Sequence, residues 1–243
     1  MRQDVVEEAR ELIGAANGVG LTLRLLGGLA VGCHCPSAGR PALQRTYPDI
    51  DLACSRPDRS RLTAFFTGRG YEANKSFNTL NGDRRQLYYD RVHGRQVDVF
   101  VGDFAMNHKI PLSGRLTVDP LTLPLAELFL TKAQIVHLNQ KDVLDLCALL
   151  IDHPVATGDE ETVNVARITA LCGADWGLYT TTKQTLTLLS GRAPAGVPHD
   201  LLQERLTSLH TALANAPKST AWRLRAKVGK RLAWYEEVEE VNR

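Results

Sequence analysis

The stretch Tyr47–Ser55, YPDIDLACS, places two aspartates one residue apart inside an otherwise apolar run. Aspartate is depleted in strands, and an ionised carboxylate is costly to bury unless it is paired or binds a metal. Side chains alternate faces along a strand. Asp49 and Asp51 therefore share one face, and Ile50 and Leu52 share the other. The second face reads as core. The first either meets a cation or lies at an exposed strand end after Pro48, where its acids cap a turn.

A third carboxylate comes from further along the chain. RQLYYDRVHGRQVDVFVGDF, residues 85–104, is the clearest hairpin signal: two alternating runs around a His-Gly turn. In its second run Val97, Val99 and Val101 share a face, and Asp98 shares the other with Gln96 and Phe100. If this strand pairs with the one at 49–55, Asp98 comes to lie beside Asp49 and Asp51. The alternative for Asp98 is a solvated position on an antiparallel strand. Three clustered carboxylates raise one another's pKa unless a cation neutralises them. Hard divalent cations, Mg²⁺ above all, suit an all-oxygen cluster, and paired ions serve in-line phosphoryl or nucleotidyl displacement. Upstream, LTLRLLGG at 21–28 reads as a short strand ending at Gly27 and Gly28, and LAVGCHC then opens a helix. Backbone N–H groups at such a turn attract phosphate, and glycine lets it approach closely.

The rest of the chain sets the frame. Its 243 residues suffice for one large domain or two small ones, with 44% hydrophobic and 23% charged residues. The formal charge of +2 says little about partners. No apolar run approaches the roughly 18–20 residues of a membrane span. MRQDVVEEARELIG at the start has acids among its apolar residues and does not read as a signal peptide, so a cytoplasmic protein without membrane partners is the expectation. Five cysteines, Cys33, Cys35, Cys54, Cys147 and Cys172, argue against a disulfide framework. Cys33-His34-Cys35 is too tightly spaced for the usual structural zinc site, so ordinary thiols are expected.

Periodicity predicts a helix over 3–16, a helix in PDRSRLTAFFTGRG (57–70) capped by Asp58 or Ser60, and a strand in YEANKSF (71–77). From about residue 120 the pattern turns helical: 120–138, 141–153, and segments near 159–172, 178–190, 198–214 and 218–238. The fold class is therefore α/β (α+β). A mixed-sheet core occupies residues 1–120, and a helical domain over 121–243 forms the other wall of a cleft.

Gly27-Gly28, then Asp49-Ile50-Asp51, then Asp98 form an ordered set that resembles the DNA polymerase beta-like nucleotidyltransferase superfamily. That superfamily is marked by a glycine pair, an Asp-x-Asp and a third strand aspartate. Within it the chain is similar to the branch containing the abortive-infection toxin nucleotidyltransferases, through Arg45 before the Asp-x-Asp, LFLTK ending at Lys132, and KDVLD with Lys141, Asp142 and Asp145. The resemblance covers roughly residues 20–152. It implies that Asp49 and Asp51 hold two Mg²⁺ ions and that Asp98 holds the catalytic one and helps activate the attacking hydroxyl. Gly27 and Gly28 would cradle an NTP triphosphate, Lys132 would neutralise phosphate charge, Arg45 would belong to the nucleotide site, and Asp145 would orient Lys132 or contact the nucleotide. The implied reaction moves a nucleoside monophosphate from an NTP to an acceptor hydroxyl and releases pyrophosphate. The acceptor is open between tRNA, a protein and a small molecule such as an aminoglycoside. The other class of reading is a non-catalytic nucleotide- or RNA-binding module of the same fold, regulated by a protein partner as in a toxin–antitoxin pair.

Several residues have ordinary alternatives. Lys132 reads equally as a solvated helix lysine, and Lys141, Asp142 and Asp145 as a capped, charged helix start. His108 reads as a loop residue. KSTAWRLRAKVGKRLAW (218–234) carries Arg223, Arg225, Lys227, Lys230 and Arg231 with Trp222 and Trp234, which suits an RNA backbone. An amphipathic helix packed through Trp222, Leu224, Val228 and Leu232, followed by the acidic EEVEE at 236–240, is the favoured reading of that segment.

Overall fold

The computed structural model describes residues 4–237. Its chain divides into two compact units. The first comprises Met1–His34, Thr46–Ala105 and Pro111–Pro124, and the second Cys35–Arg45, Met106–Ile110 and Leu125–Arg243.

The first unit starts with α1 (Val5–Gly18), whose Asp4 cap accepts from the backbone N–H groups of Val6 and Glu7 at 2.9 Å. Strand β1 (Leu23–Leu26) runs straight into α2 (Gly27–His34), so the glycine pair forms the first two residues of that helix. The remaining elements are β2 (Ile50–Cys54), α3 (Leu62–Thr67), β3 (Glu72–Ala73), α4 (Lys75–Asn81), β4 (Arg85–Asp90) and β5 (Arg95–Val101). The five strands form one mixed sheet in the order β1-β2-β5-β4-β3. β2 and β5 are parallel, and every other pair is antiparallel. The edge at β1 is covered: Leu25 exchanges backbone hydrogen bonds of 2.9 Å with Leu121 and Leu123, which removes an open sheet edge.

Alternation sorts the two faces. Leu23, Leu25, Ile50, Leu52, Val97 and Val99 are fully or almost fully buried on one of them. There Tyr88 stacks on Phe66 of α3 with ring centroids 4.3 Å apart. Full burial of a side chain of this size contributes about 1.5–3 kcal/mol. The other face carries Asp51 and Asp98.

The second unit is mainly helical: α5 (Leu125–Ala133), α6 (Gln140–Asp152), α7 (Val165–Ala174), α8 (Trp176–Arg192), α9 (His199–Asn215) and α10 (Thr220–Val228). Its core gathers Phe129, Leu146, Ile168, Leu186, Leu206 and Leu209, each fully buried. No helix among the described residues is long and apolar enough to cross a membrane. The five cysteines are free thiols, four buried and Cys33 partly exposed.

The structure departs from the sequence reading at several elements. Only Glu72–Ala73 of the 71–77 strand pairs, because the Asn74 side chain accepts from the Phe77 N–H at 3.1 Å and starts α4 instead. Residues 56–61 form a 3₁₀ turn before α3. Asp58 caps no helix: it accepts from the Thr22 N–H at 3.0 Å and the Ser55 hydroxyl at 2.7 Å. The helix expected from 159 begins at Val165, after a two-residue parallel pairing of Val155–Ala156 with Val163–Asn164. The last helix ends at Val228; Trp222 packs edge-on against Tyr179 at 5.2 Å, but Leu224, Val228 and Leu232 are 59%, 38% and 62% exposed, so that part of the stripe does not pack as expected. The final residue of the expected 218–238 helix and the end of the acidic run at 236–240 lie outside the described residues, as does residue 3 at the other end.

Candidate functional site

The carboxylate face is assembled by strand register. In the parallel pairing of β2 with β5, Asp51 and Asp98 stand directly opposite each other, and Leu26 at the end of β1 stands opposite Asp51 on its other side. Directly opposed residues point to the same face. Asp49 precedes β2 by one residue and acts on Asp98 electrostatically. Asp98 is 2% exposed, whereas Asp49 and Asp51 are partly exposed. Burial pushes the Asp98 carboxyl above the usual carboxylate range, the hydrogen bond and charge of Arg85 oppose the shift, and Asp49 adds to it.

Gly27 meets this face at close range. Its φ is +70°, and a Cβ built there would come 2.2 Å from Asp51 Oδ2 and 3.1 Å from Asp51 Cβ. Only glycine combines that backbone conformation with that approach. The first turn of α2 therefore lies against the Asp51 carboxylate. Gly28 is buried in the same turn.

Arg85 is the residue that sequence reasoning missed. On β4 it stands opposite Phe100, one diagonal step from Asp98, whose direct partner is Leu87. Arg85 Nε donates to both Asp98 oxygens, at 2.8 and 2.9 Å, and Nη2 donates to Oδ2. Asp51 adds attraction. The guanidinium also lies over the rings of Phe100 and Phe77, 5.0 and 5.9 Å from their centroids. The signal was present in the hairpin: closing it on Asp90 and Arg95 fixes the register that brings Arg85 beside Asp98.

The remaining candidates belong to the second unit and meet one another. Arg45 grips Asp145 with two bonds of 2.7 Å, from Nε to Oδ1 and from Nη2 to Oδ2. Lys132 Nζ lies 2.9 Å from Asp142 Oδ1 and 3.1 Å from Asp145 Oδ2. Asp142 has a second task. It completes a capping box with Asn139, whose side chain accepts from the Asp142 N–H at 3.0 Å while Asp142 Oδ2 accepts from the Asn139 N–H at 3.3 Å. The Lys132 side chain is only 14% exposed, so it is not a solvated surface lysine. Burial alone would lower its pKa, but Asp145 and Asp142 together hold it above the ordinary value. His108 is a loop residue as expected, but a buried one, with Nε2 2.8 Å from Thr181 Oγ1, and burial lowers its pKa.

The donor chemistry suits a hard divalent cation: Asp51 and Asp98 share one face, Asp49 acts on Asp98 from one residue before β2, and the Gly27 backbone lies beside Asp51. Among the described residues, the three candidate ligands with atoms within 4.8 Å of one another are Glu8, Asp90 and His93. That group is tied up within the fold, Glu8 by Tyr71 and Arg95, and Asp90 by His93 Nδ1 at 2.7 Å.

No protein-family model and no curated protein matches the sequence. Among solved structures, the chain is similar to an antigenic nucleotidyltransferase-like protein from Paracoccidioides brasiliensis, with 15% identity and a TM-score of 0.41 over 89% of this chain and 94% of that one. It is similar to the antibiotic-resistance factor ANT(2'')-Ia at 15% identity and a TM-score of 0.34, over 93% and 95%. A STING-associated CdnE c-di-GMP synthase from Capnocytophaga granulosa aligns at 10% identity and a TM-score of 0.30, over 86% and 79%. At these scores the likeness decides nothing about this chain, whose chemistry rests on its own residues.

Proposed function

We propose that the chain is a divalent-cation-dependent nucleotidyltransferase that moves a nucleoside monophosphate from an NTP to an acceptor hydroxyl. The observation that carries this reading is the register match of Asp51 with Asp98 across β2 and β5, with the Gly27 backbone packed on the Asp51 carboxylate. Asp49, Asp51 and Asp98 would hold the ions, Mg²⁺ by preference for oxygen donors. When bound, such ions neutralise phosphate charge and favour in-line displacement. Gly27 and Gly28 would offer backbone N–H groups at the start of α2 to the triphosphate. Asp98, its proton affinity raised by burial, would take the proton of the attacking hydroxyl. The hydroxyl oxygen then bonds to the α-phosphorus as the bond to pyrophosphate breaks. Arg45 and Lys132 would supply positive charge to the nucleotide, and Asp145 would orient both, as its bonds to them suggest.

The acceptor falls among tRNA, protein and small-molecule hydroxyls. The second reading, a nucleotide- or RNA-binding module without turnover that answers to a regulator or antitoxin, is favoured by one observation: Arg85 engages both oxygens of Asp98.

The test is incubation with each labelled NTP, Mg²⁺, total tRNA and cell extract, comparing wild type with Asp51→Ala. Label transfer that disappears in the variant supports the enzyme. NTP binding with no transfer to any acceptor supports the binding module, and absence of both NTP and Mg²⁺ binding removes both readings.

A further inference from the structure

We infer that Arg85 is the resident counter-cation of the carboxylate face and competes with the divalent ion for Asp98, so that the ion binds only as the guanidinium leaves. This rests on the metal reading proposed above. The Asp98 side chain is almost wholly buried, and a buried carboxylate needs a compensating charge. Arg85 supplies it through a fork that engages both oxygens, the geometry in which guanidinium binds carboxylate best.

A dication bound directly to Asp98 would sit next to that guanidinium, and like charges so close repel strongly at the effective dielectric of a protein. The two cations therefore exclude each other at Asp98. Arg85 has somewhere to go. Its side chain is 24% exposed, and it already lies against the rings of Phe100 and Phe77, which attract cations.

The sign of one measurement separates a competitor from a structural brace. If Arg85 only braces Asp98, its loss misplaces a ligand and weakens ion binding. If it competes, its loss tightens ion binding. Mn²⁺ is titrated into the full chain without nucleotide and read by the electron paramagnetic resonance of the free aqua ion. Arg85→Gln is expected to bind Mn²⁺ about tenfold more tightly than wild type, and Arg85→Lys, which keeps the charge but loses the fork, by a smaller factor. Equal or weaker binding in both variants overturns the inference and leaves the metal reading standing. Failure of all three proteins to bind Mn²⁺ overturns both.

Should Arg85→Gln not fold, wild type suffices. In ¹⁵N-labelled protein, the Arg85 Nε–H resonance, assigned by its loss in Arg85→Lys, is expected to leave its ion-paired position as Mg²⁺ saturates. A resonance that stays in place while Mg²⁺ binds overturns the competition.

Discussion

At the scale of single residues the carboxylate face depends on one close approach. Gly27 holds a positive φ with Asp51 Oδ2 in the space a methyl group would need. Gly27→Ala is therefore expected to destabilise the protein by about 1–2 kcal/mol through the left-handed backbone alone, read as a lowered thermal midpoint. It is also expected to displace Asp51 and reduce nucleotidyl transfer by about 10²-fold, the usual effect of a misplacement near 1 Å. Asp51 and Asp98 were legible because strand alternation turns each of them away from its apolar neighbours, whereas Asp49 lies one residue before β2, where alternation does not fix its side chain. Arg85 was not read as their partner. Its contact with Asp98 exists only once hairpin register and rotamer are combined, and an arginine at a strand end looks like a surface charge. Lys132 was equally ambiguous, since nothing in LFLTK distinguishes a solvated lysine from one facing two aspartates contributed by the next helix.

At the scale of elements, α5 and α6 are joined by charge as well as by packing. Lys132 on α5 meets Asp142 and Asp145 on α6, and Asp142 also closes the α6 cap. The raised pKa of Lys132 fixes the sign of its pH dependence. A cation whose folded pKa exceeds its unfolded one adds stability that is fully present below the unfolded value, 10.5 for lysine here, and is lost as pH rises through the folded value. Resistance of wild type to urea unfolding is expected to fall above that pH. Lys132→Met is expected to lose this alkaline limb and to be less stable by about 3–5 kcal/mol at neutral pH, because it strands buried carboxylates. The strands and most helices were readable from periods of two and 3.6. The failures were local: Asn74 turned a strand-like run into a helix start, and Asp58 spent Oδ2 on Thr22 and Ser55 and Oδ1 on Arg61 instead of a cap. Side-chain hydrogen bonds to nearby backbone override weak propensities in this way.

For the whole molecule, a helical period reports that a helix has an apolar stripe and not whether anything covers it. Leu224 on α10 and Leu206 on α9 occupy equally apolar positions in the sequence, yet the first is 59% exposed and the second fully buried. Leu224→Ser is expected to leave stability within about 0.5 kcal/mol of wild type, whereas Leu206→Ala is expected to cost about 2–5 kcal/mol, both measured by chemical denaturation. The division into units follows the same logic, because residues 35–45 and 106–110 group with the helices although they fall inside the span that reads as α/β. Composition cannot reveal such an interleaving. The parallel pairing of Ile50–Cys54 with Val97–Val101 also has a consequence in time. The two segments meet across more than forty residues of intervening chain, and closing so long a loop slows folding relative to the local turns of a helix. The parallel pairing sets Asp51 beside Asp98, and Arg85 on the hairpin's first strand offsets the repulsion between them. A growing chain therefore cannot set Asp51 beside Asp98 until synthesis has passed Val101.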